Sequence, residues 1–235
     1  MTIIQQMDAQ IGDEERQPAS VANFLIILTT MIILLITWQV LPLLELSNAI
    51  AGTFLANEKI AWYLTRSSGM VGYLLLTAST IWGLLLSTKV IKEMVPAPIT
   101  LAMHNYLSWT AIGLSLFHAF VLLFDGYYTY TVANLLVPFT GPYKPGWVGV
   151  GTIGFYLMLL TSVSFYCRKW IGQKAWRKLH YLTFGVYLLT TLHGWVAGTD
   201  SQLLSPIYLG SILIVAFLTI YRIVSALDLA KGKRG

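Results

Sequence analysis

The chain has 235 residues, of which 56% are hydrophobic and 11% charged, and its mean hydropathy is +0.68. A water-soluble domain of this length does not tolerate that composition, so the sequence specifies a multi-pass integral membrane protein. The net charge of +5 does not point to nucleic acid, because the cations gather at the ends of apolar runs, where the positive-inside bias places them.

In chain order, residues 1–20 form a polar tail carrying Asp8, Asp13, Glu14 and Glu15, without the basic start of a signal peptide. Six apolar stretches follow, at approximately 21–44, 60–87, 99–124, 147–167, 177–197 and 204–226. Each reaches the about 20 residues that a bilayer core requires. The Ala49-Ile50-Ala51 triplet looks like a cleavage site, but the apolar run before it is too long for a signal peptide, so the first stretch is read as a permanent helix. The expected fold is therefore all-α: a six-helix transmembrane bundle over 21–226 with a basic tail at 227–235.

Orientation follows from the short loops. Lys89 and Lys92, then Arg168, Lys169, Lys174, Arg177 and Lys178, then Arg222, Lys231, Lys233 and Arg234 fall on one side, against little more than Lys59 and Lys144 on the other. Both termini are expected in the cytoplasm, and the protein in the plasma (inner) membrane. The single Cys167 excludes an internal disulfide and any CxxC motif.

The four histidines are confined to two apolar stretches, His104 and His118 in the third and His180 and His193 in the fifth. These helices are separated by one antiparallel helix and run in the same direction. His104 is then level with His180 and His118 with His193, the levels being ~20 Å apart in a core ~30 Å thick. A lone intramembrane histidine is usually a hydrogen-bonding group. Four at matched depths point instead to two metal-centred groups, an inner and an outer b-type haem. Bis-imidazole ligation suits electron transfer, whereas zinc or di-iron would call for additional carboxylates or thiolates at close spacing to the histidines, such as HExxH or ExxH, and neither pattern is present.

Helical phase supports one pair more than the other. Fourteen residues bring His118 to within about 40° of His104, but thirteen leave His193 about 140° from His180 on an ideal helix. An overwound turn, helped by Gly185 or Gly194, or an oblique approach is needed. Gly69, Gly72, Gly83, Gly113, Gly149, Gly151 and Gly154 either admit the flat macrocycle or serve ordinary helix packing.

Arg66 lies ~9 Å below the outer boundary, near the level of His118, and is expected to neutralise an outer-haem propionate or polarise an acceptor such as dioxygen. The competing reading is a snorkelling surface cation. Arg177 or Lys178 is expected to pair with inner-haem propionates. The basic stretch from Arg168 to Lys178 suits docking of a flavoprotein, although its ordinary explanation is the topology signal plus attraction to anionic lipids. The loop from Asp125 to Gly146, broken by Pro138, Pro142 and Pro145 and rich in aromatics, is read as a lid over the outer site.

Arg66-Ser67-Ser68-Gly69, the paired histidines, Trp176-Arg177-Lys178-Leu179-His180, and His193-Gly194 followed by Gly198-Thr199-Asp200 resemble the ferric reductase-like transmembrane domain over about residues 58 to 226. That superfamily includes ferric reductases, the NADPH oxidases and the haem subunit of a bacterial methionine sulfoxide reductase system. The resemblance implies inner-haem ligands His104 and His180, outer-haem ligands His118 and His193, and electron flow from a cytosolic flavin to an external acceptor. Only nine residues follow the sixth stretch and no Gly-rich run stands between a strand and a helix, the setting a dinucleotide fingerprint requires, so no FAD or NAD(P) site is expected in this chain. The donor is then a separate flavoprotein, a quinone or a redox subunit, and the acceptor is ferric iron, dioxygen or a redox protein.

The expected function is an electron-transfer component of an oxidoreductase, with no catalytic residue beyond the haem ligands. The alternative is a haem-binding or structural subunit of a larger respiratory or photosynthetic complex. A proton-relaying transporter is disfavoured because no acid lies within the histidine-bearing stretches.

Overall fold

The computed structural model describes residues 59–88 and 95–231, with Thr30. The expected N-terminal tail, nearly all of the first expected span, the loop with Lys89 and Lys92, and the last four residues lie outside the described residues. Residues Glu58–Gly235 make up one compact unit, which contains all four histidines.

Every regular element among the described residues is helical. They are α1 (Lys59–Thr88), α2 (Ala97–Val121, continued by a 3-10 turn Leu122–Phe124), α3 (Val132–Leu136), α4 (Pro145–Ile171), α5 (Gln173–His180), α6 (Leu182–Ala197) and α7 (Ser201–Lys231). Four are long and apolar enough to cross a membrane: α1, α2 with its turn, α4 and α7. The expected span at 177–197 is instead covered by two consecutive helices, α5 and α6, broken at Tyr181; the 16 residues of α6 alone are short for a full crossing, so a span here would need both helices. The last helix is longer than expected and carries the helical path to Lys231.

The helix ends follow local chemistry. Pro98 and Pro145 sit at the starts of α2 and α4, where a missing N–H costs nothing. Gly172, at φ 83°, closes α4 by donating its N–H to the Arg168 carbonyl at 3.0 Å, a left-handed turn that suits glycine. Thr131 and Asn134 form a reciprocal capping box on α3.

Helix α1 packs against α2 and α7, and α4 against α6. One core cluster joins Tyr73, Leu84, Tyr187, Tyr208 and Val215 of α1, α6 and α7. A second joins Ile112, Met158 and Val186 of α2, α4 and α6. Between these apolar groups, buried hydroxyls bond to carbonyls of their own helix, as Thr77 does to Tyr73 at 2.9 Å and Ser68 to Leu64 at 2.6 Å. That local pairing satisfies a polar group where water is excluded. Helix α7 leaves Leu213, Phe217 and Ile220 exposed, an outward apolar face of the kind that lipid covers.

Candidate functional site

The fold brings the four histidines together as two facing pairs. Ring centres of His104 and His180 are 6.2 Å apart with planes at 79°, and those of His118 and His193 are 6.0 Å apart at 81°. A metal–nitrogen bond of about 2.0–2.1 Å, plus about 1.1 Å from nitrogen to ring centre, puts two imidazoles on opposite sides of one ion about 6.2 Å apart; a tetrahedral angle would bring them to about 5 Å. Both pairs match the linear case. Among the described residues no cluster of three or more His, Cys, Asp or Glu exists, so neither pair is part of a complete protein-ligand set.

Three of the imidazoles are held by one repeated device. His104 Nδ1 donates to the Ser79 carbonyl at 3.0 Å, His118 Nδ1 to Thr65 at 2.6 Å, and His193 Nδ1 to Trp147 at 2.9 Å. Four residues beyond each acceptor is a glycine, and a Cβ on it would strike the same imidazole: 3.1 Å from His104 at Gly83, 2.7 Å from His118 at Gly69, and 2.6 Å from His193 at Gly151. The missing side chain opens a cleft through which the ring reaches the backbone. A carbonyl can only accept, so each Nδ1 carries the proton and each Nε2 keeps its lone pair for a metal. The close approach at these glycines is made by the imidazoles. Gly72 and Gly154 serve helix packing against Ser115 and Thr190, and Gly149 faces Phe139.

His180 is held differently. Its Nδ1 is buried and has no hydrogen-bond partner among the described residues, as is true of Trp176 Nε1. The Trp176 ring stacks on His180 at 5.1 Å and in turn meets the edge of Phe165 at 5.9 Å. The helix breaks next to it at Tyr181, where Phe184 N–H bonds the Tyr181 carbonyl at 3.2 Å, an i to i+3 bond. A Cβ on Gly185 would meet nothing within 4 Å, and Gly194 packs on Tyr208.

His118 and His193 line a cavity of about 650 Å3 whose walls include Gly69, Met70, Phe155 and Leu204. That volume falls within the about 300–1,000 Å3 of small-molecule and cofactor sites. The loop from Asp125 to Gly146 contributes Tyr128, Tyr130, Leu135 and Tyr143 to the same walls. It is pinned down: the Tyr143 hydroxyl bonds the Ala197 carbonyl at 2.9 Å, Lys144 Nζ bonds Val196 at 2.8 Å, and the Tyr156 hydroxyl bonds Leu136.

No family model, curated protein or solved structure matches this chain.

Arg66 also lines the cavity, but its guanidinium is engaged. Nε and Nη2 meet Asp200 Oδ2 at 2.6 and 2.5 Å, Nη1 bonds Thr199, and the group lies 4.6 Å from the centre of the Trp62 ring. Arg177 is exposed on α5, on the same helix as His180. Sequence reasoning missed the carbonyl acceptors at Thr65, Ser79 and Trp147, the Trp176 stack, and a hydroxyl cluster at Tyr73. There the Tyr73 hydroxyl meets Ser211, and lies 3.4 Å from both Tyr187 and Thr191. One signal for the clefts was available: Gly69 and Gly83 are spaced by fourteen residues, as His104 and His118 are.

Proposed function

We propose that this chain is a six-span transmembrane b-type cytochrome with cytoplasmic termini, holding an inner haem between His104 and His180 and an outer haem between His118 and His193. Electrons would pass from a cytoplasmic-side donor to an external acceptor. The observation that carries the reading is the ring spacing of 6.2 and 6.0 Å in two pairs, each lacking further protein ligands among the described residues. Two imidazoles alone make a poor metal site, and a haem held by each pair would bring the remaining ligands with it. The apolar cavity at His118 and His193 has the character and size for it. When bound, the haem supplies a one-electron carrier with six-coordinate iron.

The protein's part is to bind, orient and insulate. Gly69, Gly83 and Gly151 let three rings sit on backbone carbonyls, which fixes their tautomer and direction. The pinned loop and the walls of α1, α2, α4 and α6 keep bulk water from the outer pair. Arg66 retains N–H groups beyond those used on Asp200 and Thr199, and these are offered to an outer propionate. Arg177 or Lys178 would serve the inner one. The donor is a separate flavoprotein, a quinone or a redox subunit, and the acceptor is ferric iron, dioxygen or a redox protein. The motif resemblance to the ferric reductase-like domain favours this direction of flow.

The test is haem stoichiometry on the purified full chain. Two haems per chain, both low-spin by electron paramagnetic resonance, with His118→Ala and His104→Ala each removing one, are expected. A colourless protein from haem-replete cells would refute the reading.

A further inference from the structure

Three of the four imidazoles share a glycine cleft and a carbonyl acceptor, and His180 has neither. Counting from Gly151 by the fourteen residues that separate Gly69 from Gly83 reaches Phe165 on α4. Instead of an open cleft, α4 presents this ring, and Trp176 packs on it and on His180. A stacked ring restrains the tilt of an imidazole but supplies no hydrogen-bond acceptor, and Nδ1 is left buried and without a partner among the described residues. His180 also ends a short helix bounded by the left-handed Gly172 on one side and the break at Tyr181 on the other. His104, His118 and His193 lie inside longer helices.

Resting on the haem reading above, we propose that the two centres differ in kind: the His104–His180 centre is ligand-exchangeable and His180 is the ligand that leaves, whereas the His118–His193 centre is locked. The ligand it admits is a small neutral lone-pair donor, of which carbon monoxide is the probe. With haem bound as proposed, the exchange would replace the bond from His180 Nε2 to the metal by one from the carbon lone pair; no electron or proton would be transferred, and His180 would remain a neutral imidazole. A hydrogen bond to the far nitrogen of a metal-bound histidine commonly changes metal affinity by about 10–100-fold, so one missing among four is enough to separate the sites. The orphaned Nδ1–H favours departure further, because a ring that swings away can find an acceptor.

The experiment is a carbon monoxide titration of the dithionite-reduced, purified full chain, read by optical difference spectrum against total haem. One carbon monoxide per two haems is expected. The pair His118→Ala and His193→Ala should reduce haem to one per chain and raise binding to one per haem. Trp176→Leu, which removes the brace and no ligand, should speed binding several-fold in the otherwise native chain. That variant decides the question by itself if the double variant does not fold. Two haems with no binding, binding at both, binding lost with the His118–His193 pair, or a rate untouched by Trp176→Leu would each overturn the proposal. Absence of haem would overturn the preceding reading, and this one with it.

Discussion

The imidazole of His118 rests on the backbone at Gly69: a Cβ there would lie 2.7 Å from Nδ1 and 2.9 Å from Cε1, while Nδ1 donates to the Thr65 carbonyl at 2.6 Å. A methyl group at Gly69 must therefore displace the ring and its hydrogen bond together. Gly69→Ala and Gly151→Ala are expected to weaken haem retention by about 10–100-fold at the His118–His193 centre. Gly113→Ala is the control, since a Cβ there meets nothing within 4 Å. It should keep both haems and gain up to about 0.5–1 kcal/mol of helix stability. Haem-to-protein ratio and thermal melting in detergent check both, and equal retention in the three variants would remove the need for a cleft.

Tyr73 joins α1 to α6 and α7 through a hydroxyl facing Ser211, Tyr187 and Thr191. Two of these partners have another acceptor, because Thr191 bonds the Tyr187 carbonyl at 2.7 Å and Ser211 the Tyr208 carbonyl at 2.9 Å. Tyr73→Phe should therefore cost only about 1 kcal/mol. Tyr73→Ala also removes a ring 4.9 Å from that of Tyr208 and should cost about 3–5 kcal/mol. Melting of the two variants measures the gap, and a similar loss in both would make the hydroxyl the dominant contribution.

What could be read in the sequence is what depends on one helix at a time. Apolar runs longer than a bilayer is thick mark out α1, α2, α4 and α7, because hydrophobicity and helix rise are local properties. The pairing of His104 with His180 and of His118 with His193 followed from chain direction and equal rise. The Tyr181 break was not legible, since Leu179-His180-Tyr181-Leu182 carries no glycine or proline to mark it. The carbonyl acceptors were illegible because a backbone oxygen is the same at every residue. Only the glycines that expose Ser79, Thr65 and Trp147 mark them, and glycine has other uses in helix packing. The partner of Arg66 lies 134 residues away, a separation that spacing cannot reach.

Tyr130 lies in the loop over the cavity, and burial pushes its phenol above the ordinary tyrosine value, outweighing a hydrogen bond with the Tyr143 backbone; Asp125, Tyr128 and Tyr143 push the same way. A raised value in the folded loop means that the neutral phenol is the stabilising form. Its contribution is complete below the unfolded value of about 10 and is lost as pH rises through the raised one. Loop protection from proteolysis should stay flat to about pH 10 and then fall, and Tyr130→Phe should remove that alkaline component. A fall unchanged in Tyr130→Phe would assign it to another group.

Arg66 and Asp200 bear on the His118–His193 site through charge. Asp200 is 42% exposed on its side chain against 18% for Arg66, so solvent screens the pair and its stabilising coupling should be about 1 kcal/mol or less. Its electrostatic effect has a sign that each variant exposes. Asp200→Asn leaves the Arg66 cation uncompensated at the rim of the His118–His193 cavity, which favours the reduced state of a carrier there. Arg66→Gln leaves the Asp200 anion, which disfavours it. At about 10–15 Å and an effective dielectric near 20, either charge is worth about 1 kcal/mol, on the order of tens of millivolts. A redox titration should therefore show one midpoint moving up in Asp200→Asn and down in Arg66→Gln, while the second midpoint stays in place. Shifts of the same sign, or none, would place the ion pair outside the field of either centre and leave it the single task of tying α1 to the α6–α7 link.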